Sequence, residues 1–230
     1  MKKTLLALAV AAALVPSLAM AEAGDIVVRL RATHIAPDES SKLGSTSAGA
    51  GLAGGLGGAI GPNSALEVDS NTIPEIDFSY YITKNIAAEL ILAVGTRHDV
   101  KAVNTVVSPT AAVGLGSVNL LPPTLTAQWH FNPDQTFDPY VGAGVSYVRA
   151  MDRSLNLLGA YPIQIDRNSF GPAIQAGFDY NLENKWLLNF DVKKIWFGTD
   201  VKLNDGTGFK KIDSLDVDPW VVSVGFGRKF

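Results

Sequence analysis

The sequence predicts an all-β protein, an eight-stranded antiparallel transmembrane β-barrel with long extracellular loops and short periplasmic turns. Three observations predict it. The chain is 47% hydrophobic but only 18% charged, which is below the usual quarter. After the N-terminus no stretch offers the roughly 18 consecutive apolar residues that a transmembrane helix requires. Apolar and polar residues instead alternate over eight segments, which is the pattern of strands that face lipid on one side.

The N-terminus has the pattern of an export signal. A basic start precedes the apolar run from Leu5 to Val15, and Ala19-Met20-Ala21 has the small residues that signal peptidase reads. We expect residues 1–21 to be removed, which leaves residues 22–230 as an outer-membrane β-barrel. The run is too short to be a transmembrane helix, which needs roughly 20 apolar residues. The alternative to an export signal is a buried N-terminal helix.

The predicted strands have about the 9–11 residues that a tilted membrane strand requires. In chain order they run from Ile26 to Ile35, Thr72 to Ile82, Ile86 to Thr96, Thr124 to Phe131, Tyr140 to Val148, Gly171 to Tyr180, Trp186 to Phe197 and Trp220 to Phe230. One residue from the apolar face of each strand, in the same order, is Leu30, Ile76, Leu90, Ala127, Val145, Ile174, Phe190 and Val224. The opposite faces carry charged, polar or small residues, so we expect them to line the lumen.

The connections and the aromatic residues give the orientation. The connections after strands two, four and six are short, and the others are long, so the short ones and both termini belong on the periplasmic side. Interfacial girdles are expected where aromatic residues gather at strand ends. These are Tyr80, Tyr81, Trp129, Phe131, Tyr140, Tyr180 and Trp186. The terminal Phe230 is a further sign of an outer-membrane protein, and we expect it to contact the barrel-assembly machinery.

Two motifs suggest chemistry that their context does not support. Residues 49–54 read G-x-G-x-x-G, but they lie in a Gly-rich stretch between β-type segments rather than in a βαβ unit. Because dense glycine disfavours a helix, we expect an irregular outer loop without a nucleotide or other cofactor. His34, His98 and His130 are expected at the surface or interface, and their spacing does not suggest a metal site. No clustered basic patch suggests nucleic acid.

Charged residues are predicted inside the barrel at similar depths. Acidic and basic side chains that share a level in a narrow lumen are expected to pair, because unpaired buried charges are costly. An eight-stranded barrel is about filled by its side chains, so such a layer would close a straight aqueous channel. The predicted plug consists of Arg29, Arg31, Glu75, Asp77, Glu89, Asp191 and Lys193.

Above this plug the inward-facing residues become apolar. They include Ile73, Ile91, Ala93, Ile195 and Phe197, and the long loops add many leucines. An apolar funnel over a polar floor suits a small hydrophobic ligand. The alternative is that the loop residues pack only on one another.

Several segments carry a family resemblance that covers most of the chain. They run from Arg29 to Asp38, Asn85 to Leu90, Thr96 to Asp99, Leu120 to Phe131, Pro139 to Gly144 and Asp218 to Trp220. In these segments the chain resembles the OmpW family of outer-membrane proteins, whose relatives include AlkL-type alkane channels. The resemblance implies a barrel that passes small hydrophobic molecules from outside into an apolar pocket and sideways into the membrane.

The resemblance also implies particular site residues. An apolar gate corresponds to Ile91, and an aromatic residue opposite it corresponds to Phe170, although strict alternation places Phe170 on the lipid side. A lateral exit requires a weak place in the wall, and Pro122, Pro123 and Pro172 each remove a donor. The expected partners are outer-membrane lipids and small hydrophobic solutes. The rival functions are a receptor that displays loops to a phage, bacteriocin or host, and a lipid-modifying enzyme.

Overall fold

The computed structural model describes residues 22–93, 96–153 and 155–230, so the predicted export signal lies outside the described residues. The strands are β1 Ile26–Ala36, β2 Ala65–Val68, β3 Asn71–Tyr81, β4 Ile86–Ala93, β5 Thr96–Val103, β6 Val113–Leu121, β7 Thr124–His130, β8 Phe137–Asp152, β9 Leu155–Leu157, β10 Tyr161–Ile165, β11 Asn168–Asn181, β12 Trp186–Ile195, β13 Gly198–Asn204, β14 Phe209–Asp216 and β15 Trp220–Lys229. Two short helices, α1 Leu43–Gly49 and α2 Leu56–Ile60, flank a 3-10 turn at Ala53–Gly55. No helix within the described ranges is long and apolar enough to cross a membrane.

Eight of the strands close into the predicted antiparallel barrel. Their order is β1-β3-β4-β7-β8-β11-β12-β15, and β15 pairs with β1 again, with Leu30 opposite Phe226. Each corresponds to one of the eight predicted segments, and the short connections lie at one end, as expected. All eight barrel strands are therefore hydrogen-bonded to a neighbour on both sides. Closure of the barrel removes the unpaired strand edges, which are unfavourable in lipid.

The wall shows the predicted two faces. Arg29 and Asp77 are fully buried, while their neighbours Leu30 and Phe78 are 49% and 39% exposed. The girdle prediction needs one correction: Tyr81 and Tyr140 are only 1% exposed and lie inside the lumen. Their parity matches inward-facing Ser79 and the residues around it, so position at a strand end was a poorer guide than alternation.

The long loops build a second body, here called the crown. β5 and β6 form a hairpin, β2 pairs with β5, and β14-β13-β10-β9 form a separate four-stranded sheet. Apolar side chains from both sheets and from the helices share one core. The most deeply buried of them include Leu43, Leu66, Val201, Leu203 and Ile212.

The Gly-rich segment is partly helical, which corrects the expectation of an irregular loop. Leu43, Leu56 and Ile60 on its helices are buried against the crown core. This packing outweighs the low helix propensity of glycine, since helices in proteins are stabilised mainly by their apolar faces. Glycine is also required locally: a Cβ on Gly44 would lie 2.1 Å from the Pro62 carbonyl oxygen.

Candidate functional site

The predicted luminal charges form one connected layer. The Arg29 guanidinium donates to Asp77 at 3.1 Å, to Ser79 at 2.6 Å and to both carboxylate oxygens of Asp179 at 2.5 and 3.1 Å. Arg31 donates to Asp77 at 2.5 Å and to Glu89 at 2.7 Å. All of these groups are almost fully buried, so each guanidinium replaces its hydration with two or more carboxylate contacts.

The upper part of the layer is built by β12. Lys193 donates to Asp191 at 2.7 Å, and the other Asp191 oxygen accepts from the Tyr140 hydroxyl at 2.9 Å. Glu75 contacts Arg31 at 3.3 Å between Oε1 and Nε. The structure thus brings together all seven residues predicted for the plug.

The sequence-based set missed several members of the layer. Asp179 binds Arg29 on both oxygens, Asn189 donates to Asp179 at 2.7 Å, and Gln175 donates to Glu89 at 2.8 Å. Alternation already places Gln175 and Asp179 opposite the apolar face of their strand, so this signal could have found them. Tyr140 was hidden by its place at a strand end, where an aromatic residue suggests a girdle.

A second polar cluster lies toward the periplasmic end. His130 is fully buried rather than interfacial, which corrects the prediction, and its Nδ1 lies 2.7 Å from Asp138. Tyr81 lies 3.2 Å from the same nitrogen. His130, Asp138 and Asp179 are the described residues grouped closely enough to hold a metal ion. Because Asp179 is committed to Arg29, hydrogen bonding within the protein accounts for this group.

An apolar cavity lies above the charged layer. Ile91, Ala93, Ile195 and Phe197 line it, and Glu75 and Lys193 are at its floor. It shares Val148, Phe197 and other lining residues with a second cavity that extends into the crown. The crown residues therefore pack on one another and also enclose apolar space.

Two predicted pocket residues lie elsewhere. Ile73 is buried inside the barrel but does not line the cavity. Phe170 is 74% exposed on the outer wall, where its ring centroid lies 4.8 Å from that of Tyr147. The expectation that Phe170 faces Ile91 is therefore wrong. Unbroken pairing of β11 with β8 through Pro172 keeps the alternation in register, so Phe170 stays on the lipid side.

Among the described residues, the hydrogen-bonded wall is interrupted beside Pro122 and Pro123. The last described pair of β4 with β7 is Ile91 with Thr124, and the first described pair of β5 with β6 is Thr96 with Leu120. Neither proline has an N–H to donate, and among the described residues no backbone hydrogen bond joins 121–123 to 92–93. Pro122 lines the cavity, so this break lies at the cavity wall.

The wall beside Pro172 is closed. The Trp196 N–H donates to the Pro172 carbonyl at 3.0 Å. The preceding residue, Gly171, is approached so closely that a Cβ there would lie 1.6 Å from the Trp196 carbonyl oxygen. Of the three prolines proposed for a lateral gap, Pro172 is therefore excluded as an opening.

The fold is a closed eight-stranded barrel with an apolar outer face, aromatic residues at its rims and charges inside. These features are those of the small outer-membrane barrels. The family model of the OmpW family matches residues 22–230. The chain belongs to the OmpW family. It is a protein of the bacterial outer membrane, and the family match and the relatives indicate no catalytic family.

Individual relatives agree with this assignment. Outer membrane protein W of Escherichia coli is 34% identical over 234 residues, covering 100% of this chain and 99% of that protein. Outer membrane protein AlkL of Ectopseudomonas oleovorans is 31% identical over 176 residues, covering 76% and 73%. The crystal structure of OprG from Pseudomonas aeruginosa has a TM-score of 0.76 at 28% identity, with 93% and 99% of the two chains covered.

Proposed function

We propose that the protein is a passive channel for small hydrophobic molecules. The ligand enters the crown from outside, occupies the apolar cavity lined by Ile91, and leaves sideways through the wall break at Pro122 and Pro123. The observation that carries this proposal is the position of the cavity, which ends on a charged floor below and on the interrupted wall at its side.

The charged layer favours a lateral exit over a vertical one. To pass downward, an apolar molecule would have to separate Arg29 and Arg31 from their carboxylates, and breaking a buried ion pair costs about 3–5 kcal/mol. At the wall no backbone hydrogen bond joins 121–123 to 92–93 among the described residues. The outer surface there is lipid, which receives an apolar solute without cost.

The proposal is tested by uptake of N-phenyl-1-naphthylamine, an apolar probe that fluoresces in membranes, into cells that express each variant. Ile91→Asp places a charge in the cavity wall and should reduce uptake by roughly tenfold or more, since burying a charge is costly to any apolar occupant. Ile91→Leu is the matched control and should keep uptake. Heat-modifiable gel mobility shows in each case that the barrel is folded.

A second variant tests the role of the exit separately from that of the cavity. Replacing both Pro122 and Pro123 with alanine restores two backbone donors, which should close the ladder and slow uptake while the cavity lining keeps its apolar character. Loss of uptake in Ile91→Asp with normal uptake in the alanine pair would place the exit elsewhere. Absence of uptake by the folded wild-type protein would favour the receptor function.

We also propose that Phe230 is read by the barrel-assembly machinery. Its amide donates to the Ile26 carbonyl at 2.8 Å, which joins the chain end to β1, and its ring is 41% exposed. Phe230→Ser should lower the amount of folded barrel in the membrane, while Phe230→Trp should preserve it. Equal amounts of folded protein in both variants would contradict this role.

A further inference from the structure

The floor of the apolar cavity holds an unsatisfied acceptor. Five polar side chains line the cavity: Glu75, Thr96, His98, Thr124 and Lys193. Three of them already bond within the protein, Thr96 to the Leu120 carbonyl, Thr124 to the Ser146 hydroxyl and His98 to the Asp69 carbonyl. Within the described residues, the buried Oε1 of Glu75 has no hydrogen-bond partner, although the side chain is 96% buried.

This acceptor is unusual because buried carboxylates in proteins are normally hydrogen-bonded. Arg31 Nε lies 3.3 Å from Oε1 but makes no hydrogen bond to it, because Nε donates to Asp77 and Nη2 donates to Glu89, while Nη1 has no hydrogen-bond partner among the described residues. Leaving such a group without a partner is unfavourable, because its lost hydration is not replaced. A ligand that supplies a donor here would recover that free energy.

Lys193 supplies the complementary group at the same floor. An ammonium has three donors, and one of them goes to Asp191 at 2.7 Å. Glu75 interacts electrostatically with Lys193, but the two side chains do not form a direct ion pair within 4.0 Å. The cavity floor therefore offers an acceptor and a donor that are not paired with each other.

We propose that Glu75 and Lys193 form a polar subsite that recognises the hydroxyl group of an apolar alcohol or phenol. The hydroxyl donates to the Glu75 carboxylate and accepts from the Lys193 ammonium, while the hydrocarbon body lies against Ile91 and Ile195. This inference rests on the proposed channel function and narrows its ligand class.

A neutral hydroxyl fits this floor better than an ionic head group. An ammonium ligand would be attracted by Glu75 but repelled by Lys193 and Arg31, and a carboxylate ligand would meet the reverse situation. Either ion would also lose its hydration on entering an apolar cavity. A hydroxyl satisfies both groups without adding charge, as a well-placed water molecule would.

The test compares 2-naphthol with naphthalene, which have the same apolar body. The full chain in lipid nanodiscs is titrated with each probe, its fluorescence is followed, and binding to empty nanodiscs is subtracted. We expect the wild type to bind 2-naphthol about tenfold more tightly or better, which is the factor that a hydrogen bond to a charged group supplies. Glu75→Met and Lys193→Met should each bring the ratio close to one while naphthalene still binds.

The controls replace the same residue types outside the cavity. Glu67→Met and Lys211→Met should keep the wild-type ratio. Should Glu75→Met lack a heat-modifiable band, Glu75→Gln keeps the shape with a weaker acceptor and should lower the ratio in part. An unchanged ratio of 2-naphthol to naphthalene affinity in the folded Glu75 and Lys193 variants would overturn the subsite. A wild-type ratio near one, with naphthalene bound, would also overturn it. Neither result would contradict the proposed channel. Failure of both probes to bind the folded protein would overturn the channel as well.

Discussion

The membrane barrel and the crown have the same alternating strands but opposite polarity. In the barrel the buried face carries Arg29 and Asp77, and the exposed face carries Leu30. In the crown, Leu203 and Ile212 are buried while Lys211 is exposed. Alternation therefore specifies that a strand has two faces, and the surrounding solvent decides which face is turned outward: lipid accepts the apolar face, and water accepts the charged one.

The two regions also hold together by different forces. The crown core gains free energy from apolar burial, which is non-directional and tolerates small shifts. The barrel lumen depends on ion pairs and hydrogen bonds whose geometry must be satisfied almost completely, because each unpaired charge is costly. Substitutions that remove one partner should consequently be more damaging in the lumen than in the crown.

The largest effect is expected from neutralising the luminal arginines. Arg29→Met with Arg31→Met leaves Asp77, Glu89 and Asp179 buried without their cations. We expect a loss of about 3–5 kcal/mol or more in the free energy of unfolding, measured by urea denaturation in lipid vesicles. Planar-bilayer currents should be small in the wild type and larger in any folded double variant. Large steady wild-type currents through the lumen would contradict a closed plug.

The next effect concerns the crown core. Leu203 is fully buried, and Leu203→Ala should cost about 2–5 kcal/mol because it leaves a cavity. We expect this loss to be local: hydrogen exchange should accelerate in β10, β13 and β14, while heat-modifiable mobility remains. Equal acceleration in the barrel strands would show that the two regions unfold as one unit and would remove the energetic distinction between them.

A smaller effect tests the exposed faces with one substitution in both regions. Val224 is 53% exposed on the barrel wall, opposite Ala32 and Phe190, and Val224→Arg should cost about 2–4 kcal/mol if it lies near the bilayer midplane. Leu158 is 63% exposed in the crown, and Leu158→Arg should change stability by about 0.5 kcal/mol or less. Similar unfolding midpoints for the two variants would contradict the assignment of lipid and water to these surfaces.

The barrel could be predicted from the sequence because each strand carries its own signal. Alternation places Arg29, Asp77 and Asp191 in the lumen without knowledge of any neighbour, and the hairpin turns limit the register. The same rule places Phe170 on the lipid side, and this placement was correct, whereas the position opposite Ile91 that the resemblance implied was wrong. Parity also outweighed strand-end position at Tyr81 and Tyr140.

The crown could not be predicted in the same way. Three of its strands, β2, β9 and β10, have only 4, 3 and 5 residues. In addition, β10 pairs with β13 although β11 and β12 lie between them in the chain. Such non-local pairing depends on where the barrel places the loop ends. The observation behind the proposed subsite was equally hidden. The sequence places Glu75 and Lys193 in the lumen, but only the hydrogen bonds of Arg31 to Asp77 and Glu89 show that Glu75 Oε1 is left without a partner.

The smallest effect is expected for a surface ion pair of the crown. Lys211 Nζ lies 2.7 Å from Asp200, and both side chains are more than a third exposed. The Lys211 ammonium holds the pKa of the Asp200 carboxyl below its usual range. Because the folded pKa is depressed, the pair stabilises the protein above the unfolded pKa of about 3.9 and ceases to do so as the pH falls through the folded pKa.

Lys211→Met should therefore raise the Asp200 pKa toward its ordinary value, as followed by carboxyl chemical shifts in a pH titration. The free energy of unfolding at neutral pH should fall by about 0–1 kcal/mol, since solvent screens an exposed pair, and the difference from the wild type should vanish in acid. This outcome separates the two regions most directly. A loss at Lys211 as large as that at Arg29 and Arg31 would mean that burial does not set the value of a charge in this protein.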